Sequence, residues 1–288
     1  AVCLLGHCPD EVVEAISEQA KKLHFYSVYA PIAIREKASQ KLAEILPEGF
    51  RHIFFCNSAA EANENSLKLA IRLSGRMKLV AYKGSFHGRS LLATSVSDTP
   101  MNGELGDWVG DRVSFLRPNI VEELSCITDE TAAVILEPIQ SMAGIVEFDL
   151  DYLKALRERC SETGAMLVFD EVQTGMGRCG HTFFSSFCGV APDMFTTAKG
   201  LAAGFPIGAL FLSDEVFSNV KQGDLGSTFG GGPLAMAALH ATVCKFIAED
   251  LPSKAQFFES YLRKTLKHPD LLEIRGKGCL LGLKFRED

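Results

Sequence analysis

"AAVILEPIQSMAGIVEFDLDYLKALRERCSETGAMLVFDE", residues 132–171, decides the fold. It opens with the apolar run AAVILEP (132–138) and closes with AMLVFDE (165–171), each the length of a buried strand. Between them, DYLKALRERC (151–160) turns Leu153, Leu156 and Cys160 to one side and stops at Gly164, the pattern of an amphipathic helix. Strand, helix and strand in that order make a βαβ unit, whose strands run parallel.

The same alternation continues on both sides. Upstream, residues 10–23 set Val13, Ile16, Ala20 and Leu23 on one helical face, with Asp10 as the expected N-cap. Residues 33–46 repeat the pattern with Ile34, Ala38, Leu42 and Ile45 until Pro47 stops it. HIFFCNS (52–58) reads as a strand, AEANENSLKLAIRLSG (60–75) as a helix closed by Gly75, and MKLVAY (77–82) as a strand leading into KGSFHGRS. Downstream, MFTTAKG (194–200) and IGALFLS (207–213) are strand-like. After about residue 245 the texture changes to a charged helix and then LLEIRGKGCLLGLKF (271–285), a strand-turn-strand pattern. The expectation is an α/β fold with a mainly parallel sheet covered by helices. A large domain would span 1–245, and 246–288 would begin a small C-terminal α+β domain. Ligands of such sheets sit outside the carboxyl ends of the strands. The polar residues that follow each apolar run are therefore expected to converge: Asn57–Ser58, Ser85–Phe86–His87, Glu137–Gln140, Asp170–Gln173 and Lys199.

Composition narrows the classes. The chain has 288 residues, 47% hydrophobic and 23% charged, with a formal charge of −7. That balance argues against a nucleic-acid or anionic-membrane surface. The nine cysteines form no C-x-x-C pair, so they read as free thiols in a reducing, cytoplasmic compartment, and no zinc-ligand spacing is present. No apolar run approaches the ~18–20 residues of a membrane span. AVCLL (1–5) is too short for a signal peptide, and the abrupt apolar opening reads as that of a fragment.

Three chemistries suit an acid at the tip of a buried strand. A nucleotide-bound metal fits "VFDE", but the phosphate loop G-x-x-x-x-G-K-[ST] that must accompany it is missing. A paired-carboxylate hydrolase fits poorly, because Asp170 and Glu171 are adjacent and on a strand point to opposite faces; Glu137 is the alternative partner. The third chemistry uses Lys199, which lies in an uncharged run between Asp193 and Asp214. Apolar surroundings disfavour the ammonium form, and a neutral amine condenses with an aldehyde. Pyridoxal 5′-phosphate (PLP) needs such a lysine, an acid on its ring nitrogen, a phosphate cradle and a wall against each ring face. Asp170 can be the acid, the amides of Ser58, Ala59 and Ala60 at a helix N-terminus the cradle, and Phe86 and Val172 the walls. Taken singly, each has an ordinary explanation: a solvated loop lysine, a helix cap, a core phenylalanine, and for His87 a turn histidine.

The motifs FFCNSAAEANENSLKLA, GSFHGRS, AAVILEPIQ, LVFDEVQTGMGR, TTAKGLAAGFPIGA and GSTFGGGPLA together resemble the class-III PLP-dependent aminotransferases, nearest the acetylornithine and ornithine branch. The resemblance runs from LLGHCPDEVVEAI to IRGKGCLLGLKF. It implies the fold type I of PLP-dependent transferases, with a seven-stranded sheet. It also implies ping-pong transfer of an amine, from a donor such as ornithine or acetylornithine to 2-oxoglutarate. Lys199 would bind the cofactor's aldehyde and shuttle the proton, and Asp170 would bind the pyridine nitrogen. Gln173 would reach the phenolic oxygen, with Val172 and Phe86 on the ring faces and His87 and Glu137 beside the cofactor. Ala59 and Ala60 would hold phosphate, Arg89 a substrate carboxylate, and Ser227 and Thr228 would reach in from the second subunit of a homodimer. Other class-III chemistry, such as an aminomutase, and a catalytically impaired binding homologue share the same motifs. Three departures stand out: Ala59 where the family has glycine, Gly232 where it has asparagine, and QSMAG (140–144) where QGEGG is common. The last sets Met142 in place of a glutamate that, in the ornithine branch, gates a substrate-binding arginine.

Overall fold

A computed structural model describes residues 2–100 and 110–286. In chain order the elements are α1 (Asp10–Ala20), α2 (Ala33–Ala43), β1 (His52–Cys56), α3 (Ala59–Ser74), β2 (Lys78–Tyr82), α4 (Leu91–Ser95) and β3 (Val113–Leu116). There follow β4 (Thr131–Leu136), β5 (Ile139–Gln140), β6 (Val146–Glu147), α5 (Leu150–Thr163), β7 (Met166–Asp170), β8 (Met194–Thr197) and β9 (Gly208–Leu212). The last are α6 (Asp214–Ser218), α7 (Pro233–Ala248), α8 (Leu251–Thr265), β10 (Leu271–Lys277) and β11 (Leu280–Phe285).

Seven strands form one sheet in the order β1-β9-β8-β7-β4-β2-β3. The β4–α5–β7 unit is parallel, with Ala133 opposite Met166 and Leu136 opposite Phe169. β9 alone is reversed: it runs antiparallel to β8 and to β1, so β1 points the same way as the other five. The start of β9 therefore lies at the same sheet end as the carboxyl ends of β1, β2, β4, β7 and β8.

Both faces of the sheet are buried, and strand alternation divides the core in two. Val80, Tyr82, Val134, Leu136, Leu167, Phe169, Phe195 and Phe211 join residues of α2, α5 and α7 on one side. Leu79, Ala81, Ala133, Ile135, Val168, Met194 and Leu210 join Leu67, Leu69 and Ala70 of α3 on the other. Helix α5 buries Tyr152, Leu153, Leu156 and Cys160, and ends on Gly164 in the left-handed region, φ 71°. Gly75 closes α3 in the same way, φ 70°.

Some local expectations shift. Asp10 is the first helical residue of α1, not its cap, which is Pro9. Val12 is buried while Val13 is exposed, so the inward face of α1 is set by Val12 and Ile16 against the core. Among the elements that carried no periodic signal are β3 and α7. β3 is four residues long at the sheet edge. α7, PLAMAALHATVCKFIA, is apolar on most sides and buried accordingly, and such a helix shows little amphipathic contrast.

The final strand-turn-strand is the hairpin β10–β11. It is joined to the segment after β5 by Ile145, whose backbone is left-handed (φ 60°), and by Gly276 N donating to Glu147 Oε1 at 2.8 Å. Gly276 has φ +91°, and a Cβ there would lie 2.0 Å from Leu280 O and 2.7 Å from Ile145 Cγ2.

Candidate active site

Asp170 ends β7 and is 3% exposed. Its Oδ2 meets His87 Nδ1 at 2.8 Å and accepts a hydrogen bond from Asn63 Nδ2 at 2.7 Å, and its Oδ1 accepts from Val172 N at 3.1 Å. Glu171, the next residue, is fully buried elsewhere: its carboxylate accepts from the backbone N–H of Phe184, from Ser185 N at 2.9 Å and Oγ at 2.6 Å, and from Thr174 Oγ1 at 3.3 Å. Burial pushes the Glu171 carboxyl up from its ordinary range, against the opposing effect of these donors.

After β8 the chain enters a single 3-10 turn, Lys199–Ala202, and Lys199 itself takes a left-handed backbone, φ 42°. For a side chain with a Cβ that conformation costs roughly 1–2 kcal/mol, and the turn offsets it through Leu201 N to Ala198 O (2.8 Å) and Gly204 N to Lys199 O (3.3 Å). Desolvation lowers the Lys199 amine from its ordinary value, opposed by the negative charges of Asp170 and Glu137. Glu137 follows β4, is 3% exposed, and accepts from Phe86 N at 2.9 Å. Burial pushes its carboxyl up, Asp170 adds to the shift, and His87 and the Phe86 and Ser141 amides oppose it.

The third component is the N-terminus of α3. Ser58 is the N-cap, and its hydroxyl accepts from Glu61 N at 3.2 Å. Ala59 and Ala60 open the first turn, where amides lack intrahelical partners and the helix dipole favours an anion. Glu61 ties this turn back to β1 by accepting from Asn57 N (3.1 Å) and Asn57 Nδ2 (3.0 Å). The start of β9 passes so close that a Cβ on Gly208 would sit 2.2 Å from Ser58 O.

Asp170 thus bonds directly to His87 and Val172, Glu137 bonds to Phe86, the residue before His87, and Lys199 lies within the field of the two acids. Ser227 Oγ accepts from Gly230 N at 3.0 Å and lies 3.4 Å from Asn57 Nδ2, beside the α3 entry. Arg89, Thr228 and Met142 are exposed. Sequence reasoning did not single out Asn63. Its signal was a polar residue in the buried stripe of α3, beside Ala62, Ser66, Leu67 and Ala70.

These residues suit PLP. His87 Nε2 and Gln173 Oε1 are buried without a hydrogen-bond partner, next to a donor-backed acid and a helix terminus suited to phosphate. Among the described residues no group of three His, Cys, Asp or Glu side chains is placed to hold a metal ion. None of their helices is long and apolar enough to cross a membrane.

An amine, a buried acid and an anion-binding helix terminus at one end of this sheet define a PLP-dependent transferase fold. The chain belongs to the class-III aminotransferase family, whose model matches residues 1–288. It is 39% identical over 291 residues to the LysW-aminoadipate semialdehyde/glutamate semialdehyde transaminase of Sulfurisphaera tokodaii, covering 99% of this chain and 75% of that one. It is 40% identical over 291 residues to the acetylornithine aminotransferase of Methanosarcina mazei, covering 99% and 73%. Among solved structures, the ornithine aminotransferase of Toxoplasma gondii superposes with a TM-score of 0.88 at 28% identity, covering 99% of this chain and 71% of that one. An aminotransferase of Bacillus anthracis gives 0.90 at 27%, covering 99% and 72%. The protein is accordingly a PLP-dependent aminotransferase.

Proposed function

We propose that the protein moves the terminal amine of an ω-amino donor, of the ornithine or acetylornithine kind, to a 2-oxo acid by ping-pong chemistry, with 2-oxoglutarate as acceptor. The observation that carries the proposal is Lys199: an amine lowered by desolvation, turned by a left-handed backbone, and in the field of Asp170 and Glu137. Relatives named for acetylornithine and for LysW-aminoadipate semialdehyde support the ω-amino donor class.

Bound PLP supplies an aldehyde for the incoming amine and an electron-withdrawing ring. The protein does the rest. Lys199 Nζ would hold the cofactor at its aldehyde end and would carry the proton that moves during transfer. Asp170 would hold the ring nitrogen, Gln173 the phenolic oxygen, and Val172 and Phe86 would wall the ring, with His87 and Glu137 alongside. The amides of Ala59 and Ala60, with Ser58, hold phosphate. Arg89 takes a substrate carboxylate.

The working unit we propose is a cytoplasmic homodimer in which Ser227 and Thr228 of each protomer complete the other's site. Phe25 and Phe229 support it: their rings meet edge-on at 5.6 Å, yet they remain 49% and 65% exposed. We assign residues 1–245 to the cofactor-binding unit and 246–288 to a smaller one.

The test is consumption of 2-oxoglutarate by the purified protein with acetylornithine or ornithine, followed as glutamate formed. Stoichiometric glutamate establishes the transaminase. Isomerised donor with no need for an oxo acid would replace it with a mutase, and PLP binding without turnover of any donor would leave a binding homologue.

A further inference from the structure

The acid at the end of β7 is held by a residue that the proposed chemistry leaves unused. Asn63 lies in the second turn of α3 and is fully buried. One of its amide hydrogens goes to Asp170 Oδ2 and the other to His87 O, both at 2.7 Å. Its Oδ1 accepts from Thr196 Oγ1 at 2.6 Å. Both N–H groups are therefore engaged, and the amide has one possible orientation. Turned over, Oδ1 would face two acceptors and the Thr196 hydroxyl would meet a donor.

We infer that Asn63 and Thr196 form a positioning relay, in which Thr196 orients the Asn63 amide and Asn63 fixes the Asp170 carboxylate toward the cofactor. This rests on Asp170 being the acid that faces the ring nitrogen. An aspartate's terminal torsion is broad, so a carboxylate at a strand end needs outside bonds to hold one orientation. Here those bonds come from three elements. α3 supplies Asn63, the loop after β2 supplies His87, and the Val172 amide closes the remaining side. Thr196 is opposite Asp170 in the β7–β8 register, so the sheet itself carries the relay's outer member. Asn63 acts through Asp170 and is a positioning residue, not a catalytic one.

The readout is the PLP dissociation constant, by equilibrium dialysis of the full chain. The proteins are wild type, Asn63→Ala, Thr196→Val, Thr196→Ser, Asp170→Asn and the double variant Asn63→Ala with Asp170→Asn, with urea stability measured on each. Asn63→Ala and Thr196→Val are expected to weaken PLP binding about tenfold, the scale of one hydrogen bond to a charged group. Thr196→Ser restores it. Asn63→Ala adds less than about twofold once Asp170 is already asparagine, because coupled residues are not additive. The relay is overturned if Asn63→Ala lowers stability while PLP binds as in wild type, or if its loss is undiminished in the double variant. If Asp170→Asn itself binds PLP as wild type does, the assignment of Asp170 fails, which the other variants do not mimic. Should Asn63→Ala not fold, the Thr196→Val and Thr196→Ser pair on β8 decides alone.

Discussion

Asp170 and Glu171 are consecutive, and their carboxylates are buried in different places with different partners. Asp170 meets Asn63, His87 and Val172 at the sheet end, while Glu171 collects the amides and hydroxyls of the 184–185 segment and Thr174. β7 ends at Asp170, so Glu171 already belongs to the turn that follows, and two neighbouring acids have separate sets of partners.

Substitutions should separate those roles. Glu171→Ala leaves buried donors of Phe184, Ser185 and Thr174 unpaired, and is expected to destabilise the protein by about 3 kcal/mol or more. Asp170→Asn keeps shape but must turn its amide NH2 toward a donor, of Val172 on one side or of Asn63 on the other, and is expected to cost about 1–3 kcal/mol while PLP affinity falls. Urea midpoints and PLP titration of both variants check this. Equal loss of stability would mean that Asp170 is also mainly structural.

Lys199→Ala is expected to retain PLP through the phosphate and ring contacts, yet to yield no borohydride-fixed adduct. Turnover should fall about 10³-fold, the scale of a lost proton-transfer group. Mass spectrometry of reduced wild-type peptides should place the adduct at residue 199. An adduct elsewhere, or a variant with wild-type turnover, removes Lys199 from the chemistry.

The lowered amine of Lys199 gives a pH signature. Between its folded value and the ordinary lysine value near 10.4, the unfolded chain binds more protons than the folded one, so this group makes stability rise with pH. PLP capture by the apoprotein should also accelerate with pH, with a midpoint below that ordinary value. Stopped-flow absorbance measures the second effect, and Lys199→Met removes the first. A midpoint at the ordinary value would show a solvated amine.

The hairpin depends on a missing side chain. Gly276→Ala adds a Cβ at φ +91° against Leu280 O and Ile145, and should cost about 2 kcal/mol or more. Hydrogen exchange should speed up at β10 and β11 before it does at β7. Unchanged protection in the hairpin would mean that Ile145 yields without penalty.

Phe229→Asp places a charge on the exposed aromatic pair with Phe25. Sedimentation velocity is expected to give a dimer for wild type and a monomer for the variant, with weaker PLP retention as Thr228 is withdrawn. A wild-type monomer that keeps PLP would end the shared-site proposal.

The βαβ core was legible because its signals are local. Leu153, Leu156 and Cys160 recur on one helical face, two apolar runs flank them, and Gly164 ends the helix at a position that favours φ > 0. Lys199 and Asp170 were legible as an isolated lysine and a strand-tip acid. α7 was not, since a helix buried on most sides has little contrast between faces, and β3 was too short to carry a period.

By itself, then, the sequence determined the mainly parallel α/β core, the family and the candidate side chains for the cofactor, because periodicity, turn residues and motif spacing are written along the chain. Only the tertiary structure decided the reversed direction of β9, the entry of Val12 rather than Val13 into the core, and the bond from Asn63 to an acid 107 positions away. Those depend on which surfaces meet across the sheet, and on which buried polar groups find partners there.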